Sequence, residues 1–129
     1  MKPVEMCASL FKAFEQGDFA TVRQLCSADL QVTQNNGSPM DLETLLTFTA
    51  AVLAVVTNFR YEQARRSATK DGFVEEHLVR GTLPDQSEFT LAACIVGEVE
   101  NGKIVRLREY VDSAMASGLI KALSPKEAE

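Results

Sequence analysis

The sequence lacks tryptophan and has only one histidine, three cysteines and four prolines in 129 residues. Acidic residues outnumber basic ones, and the formal net charge is −5. This charge argues against nucleic-acid binding, because a protein that binds a polyanion needs a dominant basic face. Three cysteines cannot all pair within one chain, and none shows a Cys-x-x-Cys spacing. A single histidine without a second cluster of ligands predicts no metal site, and we expect no cofactor.

Long apolar runs are also missing. The longest, at 50–56, is much shorter than the roughly 20 residues that a membrane-spanning helix needs, so no membrane partner is expected. The first residues lack the apolar core of a signal peptide. Because unpaired cysteines suit a reducing compartment, the sequence predicts a cytoplasmic protein, and its length predicts one domain.

The first half of the chain has the pattern of helices. Apolar residues recur at helical spacing between Pro3 and Phe14, and Gly17 should end this first helix. Asp18 is a good N-cap for a short second helix and Asp41 for a long third one. The third helix is apolar around much of its circumference, which predicts that it is largely enclosed and lies across a sheet.

The second half has the pattern of strands. A short strand at 30–34 precedes the third helix, and longer strands are predicted at 59–70, 73–83, 88–99 and 102–112. The dipeptides Asp71-Gly72 and Asn101-Gly102 signal hairpin turns. A short helix should begin at Ser113, and the tail from residue 124 should fray. Helices followed by an antiparallel meander predict an α+β domain.

The last strand carries an unusual acid. Alternation places Val105, Leu107, Glu109 and Val111 on one face, which is apolar except for the carboxylate. A carboxylate in that setting must find a partner, face a wet cavity or become protonated, because burying it alone and charged is very costly. This pattern indicates a curved sheet that closes around a small-molecule pocket.

Three segments resemble a known family. Phe14–Leu25 and Ala28–Val32 resemble the opening of nuclear transport factor 2-like proteins. Gly102–Asp112 is similar to their closing strand, especially in the SnoaL-like polyketide cyclase branch. The resemblance covers nearly the whole chain and implies a single SnoaL-like domain over 1–129. It also implies a cone-shaped α+β roll, in which a bent antiparallel sheet wraps three N-terminal helices and dimerises through its outer face.

The family includes ketosteroid isomerase, limonene epoxide hydrolase, scytalone dehydratase and SnoaL-like cyclases, beside binding and accessory proteins. Ungapped matching places the general base of the isomerase on Gln34, its oxyanion-hole tyrosine on Leu10 and its oxyanion-hole aspartic acid on Cys94. None of these three side chains can do the same work, so ketosteroid isomerisation is not expected. The Asp-Arg-Asp arrangement of the epoxide hydrolases finds its residue types in Arg106, Arg108 and Asp112, but on the face assigned away from the pocket.

The same matching implies a catalytic histidine with an acidic partner in the pocket. It places His77, Glu75 and Glu109 on the pocket face, and histidine can exchange protons near neutrality. We expect His77, oriented by Glu109 or Glu75, to act as general acid and base in an isomerase, cyclase or dehydratase. The ligand would be a small apolar carbonyl compound. The expected pocket walls are Gln34, Phe48, Val52, Val79, Cys94, Leu107 and Val111.

Other interpretations of the same residues stay open. His77 could be a hydrogen-bonded structural residue, and Glu75 could belong to a solvated edge paired with Arg65 or Arg66. Cys94 could pack as a small hydrophobe. The cavity could then serve a non-catalytic ligand carrier, or the domain could be a dimeric interaction module filled by its own side chains.

Overall fold

Four helices and a five-stranded sheet make up residues 1–124, the part of the chain that this computed structural model describes. None of these helices has the length and apolar character needed to cross a bilayer. The predicted fraying of the tail falls mainly on 125–129, which lie outside the described residues. In chain order the elements are α1 Pro3–Gln16, α2 Phe19–Leu25, β1 Cys26–Gln34, α3 Leu42–Val55, β2 Thr57–Ala68, β3 Gly72–Thr82, β4 Glu88–Glu100, β5 Lys103–Val111 and α4 Ser117–Leu123.

The predicted helix boundaries in the first half are confirmed. Gly17 ends α1 in the left-handed conformation, at φ 67°, where a residue without Cβ is least strained. Asp18 caps α2 by accepting a hydrogen bond from the Thr21 amide at 3.2 Å. Asp41 caps α3 in the same way, with the Thr44 amide at 2.8 Å. In contrast, α4 begins at residue 117 instead of 113, after a turn.

The sheet has the strand order β1-β5-β4-β3-β2. The strands β2 to β5 form the predicted antiparallel meander, while β1 pairs with β5 in parallel, so the sheet is mixed. Asn101 and Gly102, both with positive φ, form the predicted hairpin turn between β4 and β5. The α+β class is confirmed, and the parallel pair brings the end of β1 beside the end of β5.

A bulge in β5 corrects the predicted alternation. Ile104 pairs with Val99 and Arg106 pairs with Glu98, so Val105 is an extra residue in the ladder. Ile104 is therefore the buried residue, and Val105 is only half-buried. From Leu107 onward the alternation is as predicted.

The helix α3 is less enclosed than its composition predicts, and that prediction is wrong. Leu42, Leu46 and Val52 are buried, but Phe48 is 46% exposed. The reason is that α3 contacts β1, β2 and α4 on one side only, and no second layer of the described chain covers the other side. Its exposed side consists mostly of alanine and threonine, which cost little in water.

Phe73 packs directly against Gly97 in the sheet. Phe73 is fully buried, and a Cβ added to Gly97 would overlap its ring. We expect Gly97→Ala to lower the free energy of unfolding by about 2 kcal/mol in urea denaturation, because the ring cannot retreat within a packed core. Adding Phe73→Leu to Gly97→Ala should recover part of the loss. A Gly97→Ala variant as stable as the parent would contradict this packing.

Candidate functional site

A cavity of about 410 Å³ opens between the sheet, the C-terminal half of α1, α3 and α4. This volume lies within the range of small-molecule sites. The walls are mainly apolar, and the polar groups among them are few. The lining residues are Phe11, Phe14, Gln34, Leu45, Phe48, Thr49, Val52, Phe59, Tyr61, Val79, Leu91, Glu109, Ala116, Leu119, Ile120, Leu123 and Ser124.

Glu109 is the acidic side chain in this lining. The parallel register of β1 and β5 pairs it with Gln34, whose Nε2 donates a hydrogen bond to Glu109 Oε1 at 2.7 Å. Oε2 accepts no hydrogen bond from the described residues. One oxygen of the carboxylate is therefore held by the protein, and the other is available to a ligand.

The other two predicted catalytic residues form a separate buried pair. Glu75 is 0% exposed and His77 is 3% exposed, and His77 Nδ1 lies 2.6 Å from Glu75 Oε2. Arg66 Nε donates to Glu75 Oε1 at 2.7 Å. Cys7 Sγ, from α1, lies 3.5 Å from the same oxygen. Glu75 is thus the centre of a four-residue cluster and does not belong to a solvated edge.

The hydrogen bonds and charges of this cluster keep Glu75 ionised. Burial alone would raise the pKa of Glu75, but the hydrogen bonds and charges of His77 and Arg66 outweigh burial and hold that pKa below its ordinary value. Burial, reinforced by the nearby Glu75 carboxylate, raises the pKa of the Cys7 thiol to about 12. Glu75 is therefore ionised at neutral pH, and Cys7 is an inert thiol that donates to it.

His77 does not contact the cavity. Its ring packs against two residues that do line the cavity, with ring centroids 4.9 Å from Phe11 and 4.4 Å from Tyr61. His77 Nε2 is buried and has no hydrogen-bond partner among the described residues. The structure thus places His77 one layer behind the cavity wall, with Glu75 and not Glu109 as its partner.

Tyr61 lines the cavity with a titratable hydroxyl group that the sequence did not predict there. Burial first, and then the charge of Glu109, raise the pKa of its phenol, so the hydroxyl stays protonated. Glu15 holds the strand at this point, because its Oε2 accepts a hydrogen bond from the Tyr61 amide at 2.9 Å. The alternation of Phe59 and Tyr61 on β2 was the signal that could have revealed it.

Six of the seven predicted wall residues lie on the inner side of the sheet, and they form two groups. Gln34, Phe48, Val52 and Val79 line the cavity. Leu107 and Val111 share the inner face with Glu109 but pack in the core outside the lining.

The expected position of Cys94 on the pocket face is corrected. Cys94 pairs with Glu76 across β3 and β4, and directly paired residues project to the same side of a sheet. Glu76 is exposed, while the inner face of β4 carries Leu91, Ala93 and Ile95. Family matching had placed Cys94 one residue out of phase with this alternation.

Arg106, Arg108 and Asp112 do not form the Asp-Arg-Asp arrangement of the epoxide hydrolases. Arg106 and Arg108 both pair with Glu98 on the outer face. Asp112 accepts a hydrogen bond from the Ala114 amide at 2.9 Å and belongs to a turn. Within residues 1–124, no three histidine, cysteine, aspartate or glutamate side chains are grouped so that they could hold a metal ion.

Comparison with known proteins identifies the class. The sequence model of the SnoaL-like domain family matches residues 8–107, and the chain belongs to this family. A comparison with curated protein sequences found no match.

Solved structures share the fold. IdmH, a candidate polyketide cyclase from Streptomyces antibioticus, is 22% identical with a TM-score of 0.81, over 92% of this chain and 99% of that one. A candidate polyketide cyclase from Pseudomonas putida is 18% identical with a TM-score of 0.77, over 96% and 99%. An LEH-like epoxide hydrolase from M. tuberculosis is 21% identical with a TM-score of 0.72, over 94% and 91%. At these identities the likeness establishes the cone-shaped fold alone.

Proposed function

We propose that this protein binds a small, mostly apolar carbonyl compound and catalyses its isomerisation, cyclisation or dehydration without a cofactor. The observation that carries this proposal is Glu109, a carboxylate with one available oxygen in an otherwise apolar cavity. Candidate polyketide cyclases among the proteins of the same fold support a reaction of this general class.

In the proposed reaction, Glu109 acts as general base. Its Oε2 takes a proton from the carbon next to the carbonyl group, while Gln34 holds Oε1 and fixes the orientation of the carboxylate. The electron pair of the broken C–H bond forms an enolate, whose oxygen accepts a hydrogen bond from the Tyr61 hydroxyl. Return of the proton to a different carbon completes an isomerisation. In a cyclisation the enolate carbon attacks a second carbonyl group, and the oxygen of that group takes the proton from Glu109. In a dehydration the enolate expels a hydroxyl group two carbons from the carbonyl carbon, and that hydroxyl takes the same proton and leaves as water.

His77 and Glu75 enter this proposal as positioning residues. The His77 ring packs directly on the Tyr61 ring, and the Glu75–His77 pair fixes the orientation of the imidazole from behind. Because His77 lies outside the lining, we assign direct proton transfer to Glu109 in preference to His77.

The test is proton exchange with solvent. The protein is incubated in D₂O with a panel of cyclic and linear ketones, and deuterium incorporation next to the carbonyl group is followed by NMR. We expect protein-dependent exchange for those ketones that bind. Ketones that bind in the cavity but exchange no faster than in buffer would contradict the proposed reaction.

A non-catalytic ligand carrier is the second candidate function. One observation favours it: of the three predicted catalytic residues, only Glu109 faces the cavity. This function predicts binding without exchange or turnover. The open cavity gives no support to the third interpretation, a module whose interior is filled by its own side chains.

We also propose a homodimer through the outer sheet face. That face carries half-buried apolar side chains, including Leu78 and Val96, flanked by the charged groups of Glu62 and Glu98 with their arginines. Light scattering after size exclusion should give twice the 14.1 kDa mass of one chain, and Leu78→Glu should give a folded monomer. A monomeric parent protein at micromolar concentration would contradict this proposal.

A further inference from the structure

We propose that the cavity is also a binding site for organic cations, namely protonated or quaternary amines with a small apolar body. This inference goes beyond the carbonyl chemistry proposed above. It shares with that proposal only the premise that the cavity admits small molecules.

The first argument is the difference between the two acids on the inner face of the sheet. Glu75 is neutralised inside the protein by the Arg66 guanidinium, and His77 adds a second hydrogen bond. Glu109 receives only a neutral amide, from Gln34, and no lysine, arginine or histidine of residues 1–124 lines its cavity. A carboxylate in an apolar cavity gains from a positive partner, and residues 1–124 supply none to Glu109 in this lining.

The second argument is the composition of the wall around Glu109. Five aromatic residues line the same cavity, and four of them form a continuous series. Within this series, ring centroids are 5.9 Å apart for Phe14 and Phe11, 5.3 Å for Phe11 and Tyr61, and 5.3 Å for Tyr61 and Phe59. Aromatic rings attract cations through their negative faces, and desolvated sites strengthen this attraction.

Together these groups provide what an alkylammonium ion requires. Glu109 Oε2 supplies a counter-charge, the rings supply polarisable walls, and the volume of about 410 Å³ accommodates an apolar substituent. The negative net charge of the protein raises the local concentration of cations around it. A neutral molecule of the same shape would gain only the apolar contacts.

The experiment compares a cation with its neutral isostere. Binding of phenyltrimethylammonium and of tert-butylbenzene to the full-length protein is measured by NMR titration, using shifts of the aromatic resonances. We expect the cation to bind at least about tenfold more tightly, and Glu109→Gln to reduce that preference to about twofold. Glu100→Gln, which removes the same charge at an exposed hairpin position, should leave the preference unchanged.

Each other outcome is decisive. Equal affinity of the parent protein for the two compounds, or an undiminished preference for the cation in Glu109→Gln, would overturn the inference while leaving the carbonyl reaction untouched. If neither compound binds, this inference fails, and ketone binding in the exchange experiment then shows separately whether the cavity admits ligands at all. Conversely, absent exchange with retained cation preference would overturn only the proposed reaction.

Discussion

Replacing Glu75 by leucine should lower the free energy of unfolding by about 3 kcal/mol, measured by urea denaturation. The reason is that the fully buried carboxylate is the common partner of three groups. Its loss would leave the His77 Nδ1 and the Cys7 thiol buried without their acceptor, and the Arg66 guanidinium without its counter-charge. This loss in the free energy of unfolding is at the lower end of the range for removing one partner of a buried ion pair, because Arg66 is 32% exposed and water can solvate it.

The neighbouring acid provides a matched control. Glu76 lies next to Glu75 on β3 but is exposed on the outer face, so Glu76→Leu should change the free energy of unfolding by no more than about 0.5 kcal/mol. Similar losses for the two variants would mean that the Glu75 cluster does not stabilise the fold.

The stability difference should also depend on pH. The pKa of Glu75 is lowered in the folded protein from its ordinary value of 4.5 because of its hydrogen bonds to His77 and Arg66, which outweigh burial. Its contribution is therefore fully present above pH 4.5 and is lost as pH falls through the folded-state pKa. The gap between the parent and Glu75→Leu should narrow as the pH falls below 4.5, in denaturation curves measured at each pH. A gap that widened on acidification would contradict the assigned direction of the shift.

Replacing Glu109 by glutamine should slow the proposed proton exchange by about a hundredfold or more, which is the usual size of a general-base effect. Glutamine preserves the shape of the side chain but has no accessible protonation chemistry, so ketone binding should change much less than exchange. Exchange rates and ketone dissociation constants, both measured by NMR, separate these two quantities.

Two further variants identify how Glu109 acts. Gln34→Leu should slow exchange by about tenfold, since it removes the hydrogen bond that orients the carboxylate but leaves the base in place. Tyr61→Phe should slow exchange while leaving ketone binding nearly unchanged, because it removes only the proposed donor to the enolate oxygen. Undiminished exchange in Glu109→Gln would show that another group is the base.

Much of the fold could be predicted because its determinants are local. Gly17, Asp18 and Asp41 act through the conformation and hydrogen bonds of adjacent residues, and Asn101-Gly102 specifies its own turn. Strand alternation likewise placed Leu107 and Glu109 on one face. It was less reliable near Val105, where a bulge adds one residue to the ladder.

The pairing of functional groups was decided by the tertiary structure. The sequence by itself determined an α+β domain with Glu109 on an otherwise apolar strand face, and the family resemblance implied that His77 and Glu75 share the pocket face. It could not determine that Glu109 would pair with Gln34, because that contact depends on the parallel register of β1 and β5, 75 residues apart in the chain. Nor could it reveal that the rings of Phe11 and Tyr61 separate His77 from the cavity, since those rings come from α1 and β2 and meet only through packing.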